Sequence, residues 1–285
     1  MRNKKAAPRG QKAIAVSVVM PVYNAASTIL SSVCSVIGQT FEAWELILID
    51  DASGDSSRRV IEDFLYQQRD EVRERIRLLV NEKNLGAAGT RNRGVVEARC
   101  SWIAFLDSDD LWDSHKLEEQ FLFLKREDGL ERKQQTDLLY TGSAFINAEG
   151  RLSKYILHVP EQMYFEMLRK QNLISCSSVL VRRELLLRYP MENGSFHEDY
   201  ALWLRLLADG YVARGIDKPL LIYRLSEKSR SGDKRRAAMM TYGVYRHVGF
   251  SRPVALRCLA FYTWRNMKKY YGIKQGFSPG KKGDR

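Results

Sequence analysis

Residues 14–125 alternate between short apolar runs and longer segments in which apolar residues recur at helical spacing. The apolar runs are rich in β-branched residues and cover residues 14–20, 44–49, 76–80 and 102–106. The segments with helical spacing follow them, at residues 25–39, 57–68, 86–99 and 116–125. Because these periods are typical of buried strands and amphipathic helices, the pattern predicts four successive strand–helix units. Such an alternation indicates a mainly parallel, Rossmann-like central sheet that is flanked by helices.

The second half of the chain is less regular. Strands are predicted at residues 137–145, 151–156, 177–181 and 219–225, and a turn at 147–150 joins the first two. A helix is predicted at 199–208, and basic helices are predicted from residue 232 to 271, with Pro253 as a breaker or a first-turn residue. Since no segment reaches 18 consecutive apolar residues, we expect no membrane-spanning helix.

Polar residues follow three of the four predicted N-terminal strands. They are Tyr23-Asn24, Asp50-Asp51 and Asp107-Ser108-Asp109-Asp110. The carboxyl ends of parallel strands meet at one rim of the sheet, where ligands of such proteins bind. The sequence therefore predicts that these side chains line one site.

The acidic cluster at the fourth strand has two interpretations. Three carboxylates within four residues, Asp107, Asp109 and Asp110, repel one another unless a cation neutralises them. Oxygen ligands of this kind suit Mg²⁺ or Mn²⁺, which take further ligands from water and substrate phosphates. Alternatively, Asp109 or Asp110 caps the helix that follows. The cluster alone does not choose between a metal–diphosphate site and a helix cap.

Three further clusters each carry a binding and a structural interpretation. Asp50-Asp51 fits either a nucleotide base or a polar turn. The glycines before Arg91 suit either close approach of an anionic ligand or a tight entry into a helix. Glu198 and Asp199 begin a predicted helix, so one of them is a candidate general base and both are candidate caps.

Together these clusters resemble the family 2 glycosyltransferases of GT-A fold. The similarity is dense over residues 14–115, continues more thinly to about 226, and rests on six motifs in matching order and spacing. These motifs are 17–24 (SVVMPVYN), 39–41 (QTF), 49–53 (IDDAS), 84–86 (NLG), 91–92 (RN) and 105–110 (FLDSDD). The resemblance implies a metal-dependent, inverting transferase that uses a nucleotide-sugar donor, with UDP as the expected nucleotide.

The resemblance also implies a role for each matching residue. Pro21, Tyr23 and Asn24 would line the nucleotide base, and Asp51 would accept the uracil N–H. Arg91 would lie near the base and phosphates, with Asp107 and Ser108 near the ribose. Asp109, with a share from Asp107, would ligate Mn²⁺ or Mg²⁺, whereas the role of Asp110 stays open. Arg224 on the last predicted strand would meet the diphosphate, and Asp199 would be the general base.

The charge distribution adds an expected partner. The net charge is +12, but residues 228–285 carry 15 Lys and Arg against two Asp and Glu, so the excess lies at the chain ends. Aromatic residues are interspersed among these bases. Such a composition suits an anionic membrane surface, and a lipid-linked glycan acceptor would explain it. A helical region that packs on the catalytic domain, or a solvated tail, explains it as well.

We therefore expect a basic extension at residues 1–13 and a GT-A domain at 14–226, divided into a donor half (14–115) and an acceptor half (116–226). A basic helical region at 227–285 follows. Four cysteines without close pairing indicate buried free thiols in a reducing compartment. We expect a cytoplasmic protein at the inner face of the cell membrane that acts in polysaccharide biosynthesis. The rival interpretations are a sugar nucleotidyltransferase and a non-catalytic protein that binds nucleic acid or another anionic surface. We expect no nucleic-acid partner, because no recognition motif is present.

Overall fold

A nine-stranded sheet runs through the computed structural model, which describes residues 15–127, 129–225 and 234–277. The strands are β1 (Val16–Val22), β2 (Trp44–Asp50), β3 (Ile76–Val80), β4 (Trp102–Phe105), β5 (Leu111–Trp112), β6 (Leu138–Ile146), β7 (Gln162–Met163), β8 (Leu180–Arg182) and β9 (Ala213–Arg224). The helices are α1 (Ile29–Ile37), α2 (Ser57–Tyr66), α3 (Asp70–Arg73), α4 (Gly86–Glu97), α5 (Lys116–Lys125), α6 (Phe165–Leu168), α7 (Arg183–Arg188), α8 (Glu198–Ala208), α9 (Lys234–His247) and α10 (Arg252–Gly276).

The order of the strands is β3-β2-β1-β4-β8-β6-β9-β5, and β7 pairs with the first residues of β9. Strands β1 to β4 are parallel, β8 runs antiparallel to both β4 and β6, and β9 is parallel to β6. Six strands therefore end at the same rim. This arrangement confirms the predicted mainly parallel sheet.

Successive residues of the central strands enter opposite cores. Val19 and Ile47 point into a core that α4, α7, α8, α9 and α10 cover, whereas Val18 and Leu46 point into one that α1, α2 and α5 cover. Because both faces of the sheet are buried, strands β1 and β2 consist almost entirely of apolar residues. This double covering leaves only the strand ends free to form a site.

Gly94 allows α4 to lie close against the sheet. A Cβ atom at this position would lie 2.3 Å from Cγ1 of Val19 and 3.0 Å from Cδ1 of Ile49. The close approach fixes α4 over β1 and β2. It thereby positions Arg91, which lies one turn earlier on the same helix.

Most predicted elements are present, with β3 and α5 at their predicted bounds. The strand predicted at 151–156 was wrong, because the segment makes only one isolated bridge to β6, at Leu152, and the residue after the segment, Leu157, makes another. Its backbone instead serves the end of α10, since Lys154 donates its N–H to the carbonyl of Gly276. The predicted run 177–181 divides into a 3₁₀ turn (Cys176–Ser178) and the short strand β8.

The basic helices α9 and α10 pack on the α/β domain that contains the sheet. Val244 and Tyr245 of α9 and Ala255 and Cys258 of α10 belong to the same core as α8. Pro253 lies in the first turn of α10, where proline is favoured because its missing N–H has no partner there. Within the described ranges, no helix combines the length and the apolar character that crossing a membrane requires.

One prediction about the cysteines was wrong. Cys100, Cys176 and Cys258 are buried free thiols as expected, but Cys34 is exposed on α1. The apolar residues of α1 that face the sheet are Ile29, Val33 and Val36, and position 34 falls on the opposite side of the helix.

Candidate active site

The polar residues predicted to share a rim do meet at the ends of the parallel strands. The N–H of Asp51 donates to the carbonyl of Val22 at 2.8 Å, which joins the end of β2 to the end of β1. On the other side of β1, the N–H of Leu106 donates to the carbonyl of Val19 at 3.1 Å. Asp51 and Asp107 therefore flank the end of β1.

Asp51 organises the loop before α4. Its Oδ1 accepts hydrogen bonds from Nδ2 of Asn81 at 2.6 Å and from the N–H of Leu85 at 2.8 Å, and its Oδ2 accepts the N–H of Gly86 at 2.9 Å. The φ angle of Gly86 is +74°, which glycine adopts without strain. A carboxylate offers about four acceptor positions, so one remains for a nucleotide base. That predicted contact of Asp51 stays a prediction.

The loop after β1 presents an aromatic side chain at the rim. Tyr23 is exposed, and Asn24 adopts a left-handed φ of +50°. This turn is held to the loop after β2, because the N–H of Gly54 donates to Oδ1 of Asn24 at 2.8 Å and the N–H of Asn24 donates to Oγ of Ser53 at 3.1 Å. The roles predicted for Pro21, Tyr23 and Asn24 at a nucleotide base stay predictions.

The acidic cluster lies between β4 and β5, where Ser177 and Arg224 hold its members in different positions. Asp110 is buried, and its Oδ1 accepts the N–H of Arg224 at 2.9 Å. The side chain of Arg224 points toward Asp109, since its Nε donates to the Asp109 carbonyl at 2.8 Å. Ser177 accepts the N–H of Asp107 at 3.1 Å and also bonds to the carboxyl of Asp110.

The alternative that Asp109 or Asp110 caps a helix was wrong. Helix α5 begins at Lys116 with His115 at its N-cap position, six residues beyond Asp109. The local turn is served by Asp113 instead, whose carboxylate accepts the N–H of His115 at 2.9 Å. Asp110 is directed into the sheet toward Arg224.

Burial and the neighbouring carboxylates raise the pKa values of Asp109 and Asp110. Burial, followed by the charge of Asp107, raises the pKa of Asp109 from 3.8 to about 6. Burial and the charges of Asp109 and Asp107 raise the pKa of Asp110 well above its usual value. Asp107 and Asp109 are partly exposed, whereas Asp110 is buried.

This donor set fits a divalent cation of the Mg²⁺ or Mn²⁺ type. In the part of the chain that the structure describes, no three His, Cys, Asp or Glu side chains form a complete metal cage. Mg²⁺ and its relatives are usually held by one or two carboxylates together with water and substrate phosphates. Two partly exposed carboxylates, whose repulsion a cation would relieve, suit that mode of binding.

Arg91 joins the acidic cluster to α8. Its Nη2 lies 2.5 Å from Oδ1 of Asp107, and its Nη1 lies 2.8 Å from Oε1 of Glu198. The guanidinium is buried, and burial alone would lower the pKa of Arg91, but the charges of Asp107 and Glu198 raise it well above the usual value. The contact with Asp107 places Arg91 at the rim, whereas the predicted contact of Arg91 with base and phosphates stays a prediction.

Asp199 lies in the first turn of α8, next to Glu198. Burial and the neighbouring charge of Glu198 raise the pKa of Asp199, while His197 and Arg91 oppose the shift. The loop that precedes α8 is fixed to α4, because Asn92 exchanges two hydrogen bonds with the backbone of Met191, at 2.7 and 3.0 Å. The candidate base therefore lies on a helix that is joined to α4, both through this loop and through the ion pair of Arg91 with Glu198.

The floor of the site consists of residues that no motif in the sequence indicated. Cys176, Ser177 and Ser178 are buried beneath the acids. Burial raises the pKa of the Cys176 thiol; Arg91 opposes this shift, and Asp107, Asp199 and Glu198 add to it. Some 70 residues separate Ser177 from Asp107, so no local pattern could have indicated their contact.

Comparisons with known proteins agree with this geometry. The profile "Glycosyl transferase family 2" matches residues 17–131. TuaG of Bacillus subtilis (strain 168), a glycosyltransferase assigned to teichuronic acid biosynthesis, is 36% identical over 233 residues, which cover 82% of this chain and 88% of TuaG. The chain belongs to glycosyltransferase family 2.

A second relative and a solved structure extend the comparison. The UDP-Glc:alpha-D-GlcNAc-diphosphoundecaprenol beta-1,3-glucosyltransferase WfgD of Escherichia coli is 36% identical over 222 residues, covering 77% of this chain and 80% of WfgD. The mannosyltransferase PcManGT of Pyrobaculum calidifontis, solved with GDP-Man and Mn²⁺, superposes with a TM-score of 0.65. That superposition covers 96% of this chain and 76% of PcManGT at 14% identity, and it confirms the GT-A fold.

Proposed function

We propose that this family 2 glycosyltransferase transfers a sugar from a UDP-sugar to a hydroxyl group of a lipid-linked glycan, with inversion at the anomeric carbon. The bridge of Arg91 between Asp107 and Glu198 carries the proposal, since it brings the donor-side acids and the candidate base to one site. The name of WfgD supports both substrates, because it gives UDP-Glc as the donor and a diphosphoundecaprenol-linked sugar as the acceptor of that enzyme.

The donor would lie along the rim of the sheet. Tyr23 offers an exposed ring beside the base, and Asp51 keeps an acceptor position for the uracil N–H. Pro21 and Asn24 would complete the base pocket, and Ser108 with Asp107 would approach the ribose. Arg224, whose Nε already lies at the Asp109 carbonyl, would approach the diphosphate.

The cation site is proposed at Asp109, with Asp107 as the second carboxylate. Their shared negative charge and the raised pKa of Asp109 support binding of Mn²⁺ or Mg²⁺, and the Mn²⁺ complex of PcManGT supports the same choice. When bound, the cation supplies charge neutralisation for the departing diphosphate. Asp110 has a structural role in this scheme, because it is buried and bonded to the backbone of Arg224.

Asp199 would remove the proton of the acceptor hydroxyl as that oxygen attacks the anomeric carbon. The UDP group leaves from the opposite face of the sugar, so one displacement inverts the configuration. The raised pKa of Asp199 makes it a stronger base than an exposed aspartate, while Arg91 prevents a larger shift by lowering that pKa. A carboxylate at the N-terminus of α8 is also favoured by the helix dipole.

The biological setting is proposed as polysaccharide biosynthesis at the inner face of the cell membrane. The relatives TuaG and WfgD support this setting, because their names place them in teichuronic acid synthesis and on a diphosphoundecaprenol-linked acceptor. A lipid-linked acceptor lies at a membrane surface, so the enzyme would work where the lipid headgroups meet water.

The test is acceptor-dependent release of UDP by the purified chain. A set of UDP-sugars and one GDP-sugar would be supplied with diphospholipid-linked GlcNAc, with Mn²⁺ or with EDTA. We expect UDP and glycosylated lipid in equal amounts with one UDP-sugar, and the opposite anomeric configuration in the product by NMR. Release of pyrophosphate would indicate a nucleotidyltransferase, and retained configuration would refute the single displacement.

A further inference from the structure

One face of α10 combines exposed apolar side chains with cations. Leu256, Ala260, Trp264, Met267 and Tyr271 are exposed and follow one another at intervals of four, four, three and four residues. Residues at this spacing lie on the same side of a helix, and five of them cover about 22 Å of its length. This row of five residues is called the outer stripe.

The inner side of α10 is already occupied. Ala255, Cys258 and Ile273 are buried against the catalytic domain. A Cβ atom at Gly272 would lie 2.6 Å from the ring of Tyr155, which shows how closely the helix is packed there. The buried side of α10 holds the helix against the protein. The outer stripe lies on the opposite side of α10 and therefore faces away from the protein.

The cations that border the outer stripe point to the chemistry of its partner. Arg257, Lys268 and Lys274 are exposed beside it, and the 25 residues of α10 include no Asp or Glu. Nζ of Lys268 lies 4.2 Å from the centre of the Trp264 ring, so a cation and an aromatic side chain share one surface position. Such pairs suit the boundary between lipid headgroups and acyl chains.

We propose that the outer stripe of α10 is a membrane-binding surface that takes an anionic lipid bilayer. The helix would lie in the plane of the interface, with Leu256, Trp264 and Met267 inserted among the acyl chains and the cations at the phosphates. A partner with an acidic surface but no apolar groups would leave Leu256, Trp264 and Met267 in water. The inference deepens the proposed function and rests on it for its purpose, because the proposed acceptor is carried by a lipid.

The binding test uses the full chain without donor or acceptor. Flotation with vesicles of phosphatidylcholine and phosphatidylglycerol (1:1) is compared with flotation on pure phosphatidylcholine vesicles. We expect binding to the anionic vesicles, at least tenfold weaker binding to the neutral ones, and a loss as NaCl is raised from about 0.1 to about 0.5 M. Failure of the chain to bind the anionic vesicles would overturn the proposal.

Two pairs of variants separate the apolar from the electrostatic contribution. Trp264→Ser/Met267→Ser should weaken vesicle binding by about tenfold or more, because both groups lose their insertion. Arg257→Gln/Lys268→Gln should weaken it by roughly 10- to 30-fold, as expected from the contribution of each cation near an anionic surface.

Matched controls remove exposed groups of the same kind elsewhere. Tyr66→Ser/Leu122→Ser and Arg59→Gln/Lys133→Gln should bind vesicles as the parent does, since these side chains are exposed on other parts of the surface. The proposal is wrong if the Trp264→Ser/Met267→Ser variant binds anionic vesicles as the parent does and single-stranded DNA competes equally well with the vesicles for both proteins. That result would show that the stripe is a general polyanion site.

A transfer assay with a water-soluble GlcNAc-diphosphate acceptor separates this inference from the proposed function. All four variants should release UDP at the parent rate in that assay, because none alters the strand-end site. Loss of vesicle binding with unchanged transfer supports the membrane surface. Transfer by a parent protein that never binds vesicles would refute the surface and leave the proposed function standing.

Discussion

Arg91 and Glu198 form a buried ion pair, with Nη1 and Oε1 2.8 Å apart, although 107 residues separate them in the chain. The second guanidinium nitrogen contacts Asp107 at the end of β4. One side chain of α4 thus links the acidic cluster to the helix that carries the candidate base. This link predicts that Arg91 affects both the stability of the protein and the rate of transfer.

Arg91→Met should destabilise the protein by about 3–5 kcal/mol, because it leaves the buried carboxylate of Glu198 without its cation. The matched control is Arg59→Met, which removes an exposed arginine of α2 and should cost less than about 0.5 kcal/mol. Urea denaturation of both variants measures the difference. Equal stability of the two variants would show that the bridge contributes nothing to the fold.

Asp199→Asn should lower kcat by about a thousandfold or more and leave the affinity for the UDP-sugar within about twofold, because the amide is nearly isosteric but cannot accept the proton. Calorimetry gives the affinity, and UDP release gives kcat. Asp63→Asn, on the exposed side of α2, is the control and should match the parent in both. An Asp199→Asn variant with normal turnover would exclude Asp199 as the base.

The pH profile of kcat should reveal the raised pKa of Asp199. The group acts as a base only when deprotonated, so activity should fall as the pH drops through a pKa that lies above the ordinary aspartate value of 3.8. Glu198→Gln removes a negative neighbour and should move this acid limb to lower pH. An acid limb that stays in place in the Glu198→Gln variant would contradict the electrostatic coupling of the two residues.

Asp109 and Asp110 should respond differently to the same substitution. Asp109→Asn should abolish the gain in UDP-sugar affinity that Mn²⁺ provides, since it removes the proposed ligand. Asp110→Asn should keep that gain within about threefold, because Oδ1 of an asparagine can still accept the N–H of Arg224. Calorimetry with Mn²⁺ and with EDTA measures both. If only the Asp110→Asn variant lost the gain in UDP-sugar affinity with Mn²⁺, Asp110 would be the metal ligand and Asp109 the structural residue.

The parallel half of the sheet could be predicted because its strands are buried on both faces. Continuous apolar runs such as Val16–Val22 then differ clearly from the amphipathic helices between them. The segment 151–156 does not form the predicted strand, because the N–H of Lys154 bonds to the end of α10 while that of Ser153 bonds to β6. That competition depends on a helix more than 100 residues away.

The site was predicted through the strand ends, where topology alone brings Asp51 and Asp107 to one rim. The partners of these residues could not be predicted, because they come from distant segments. Ser177 beneath Asp107 and Glu198 beside Arg91 follow from the packing of the second half onto the first. The pattern of charges along the sequence does not indicate which distant residues pair with each other.

The most direct test of the central claim is the stoichiometry of UDP and glycosylated product with a diphospholipid-linked acceptor in the presence of Mn²⁺. The proposed function predicts that one UDP-sugar yields UDP and inverted product in a ratio of one to one, and that Asp199→Asn binds this donor without forming either. UDP-sugar binding without acceptor-dependent product, for every donor and acceptor tested, would contradict it.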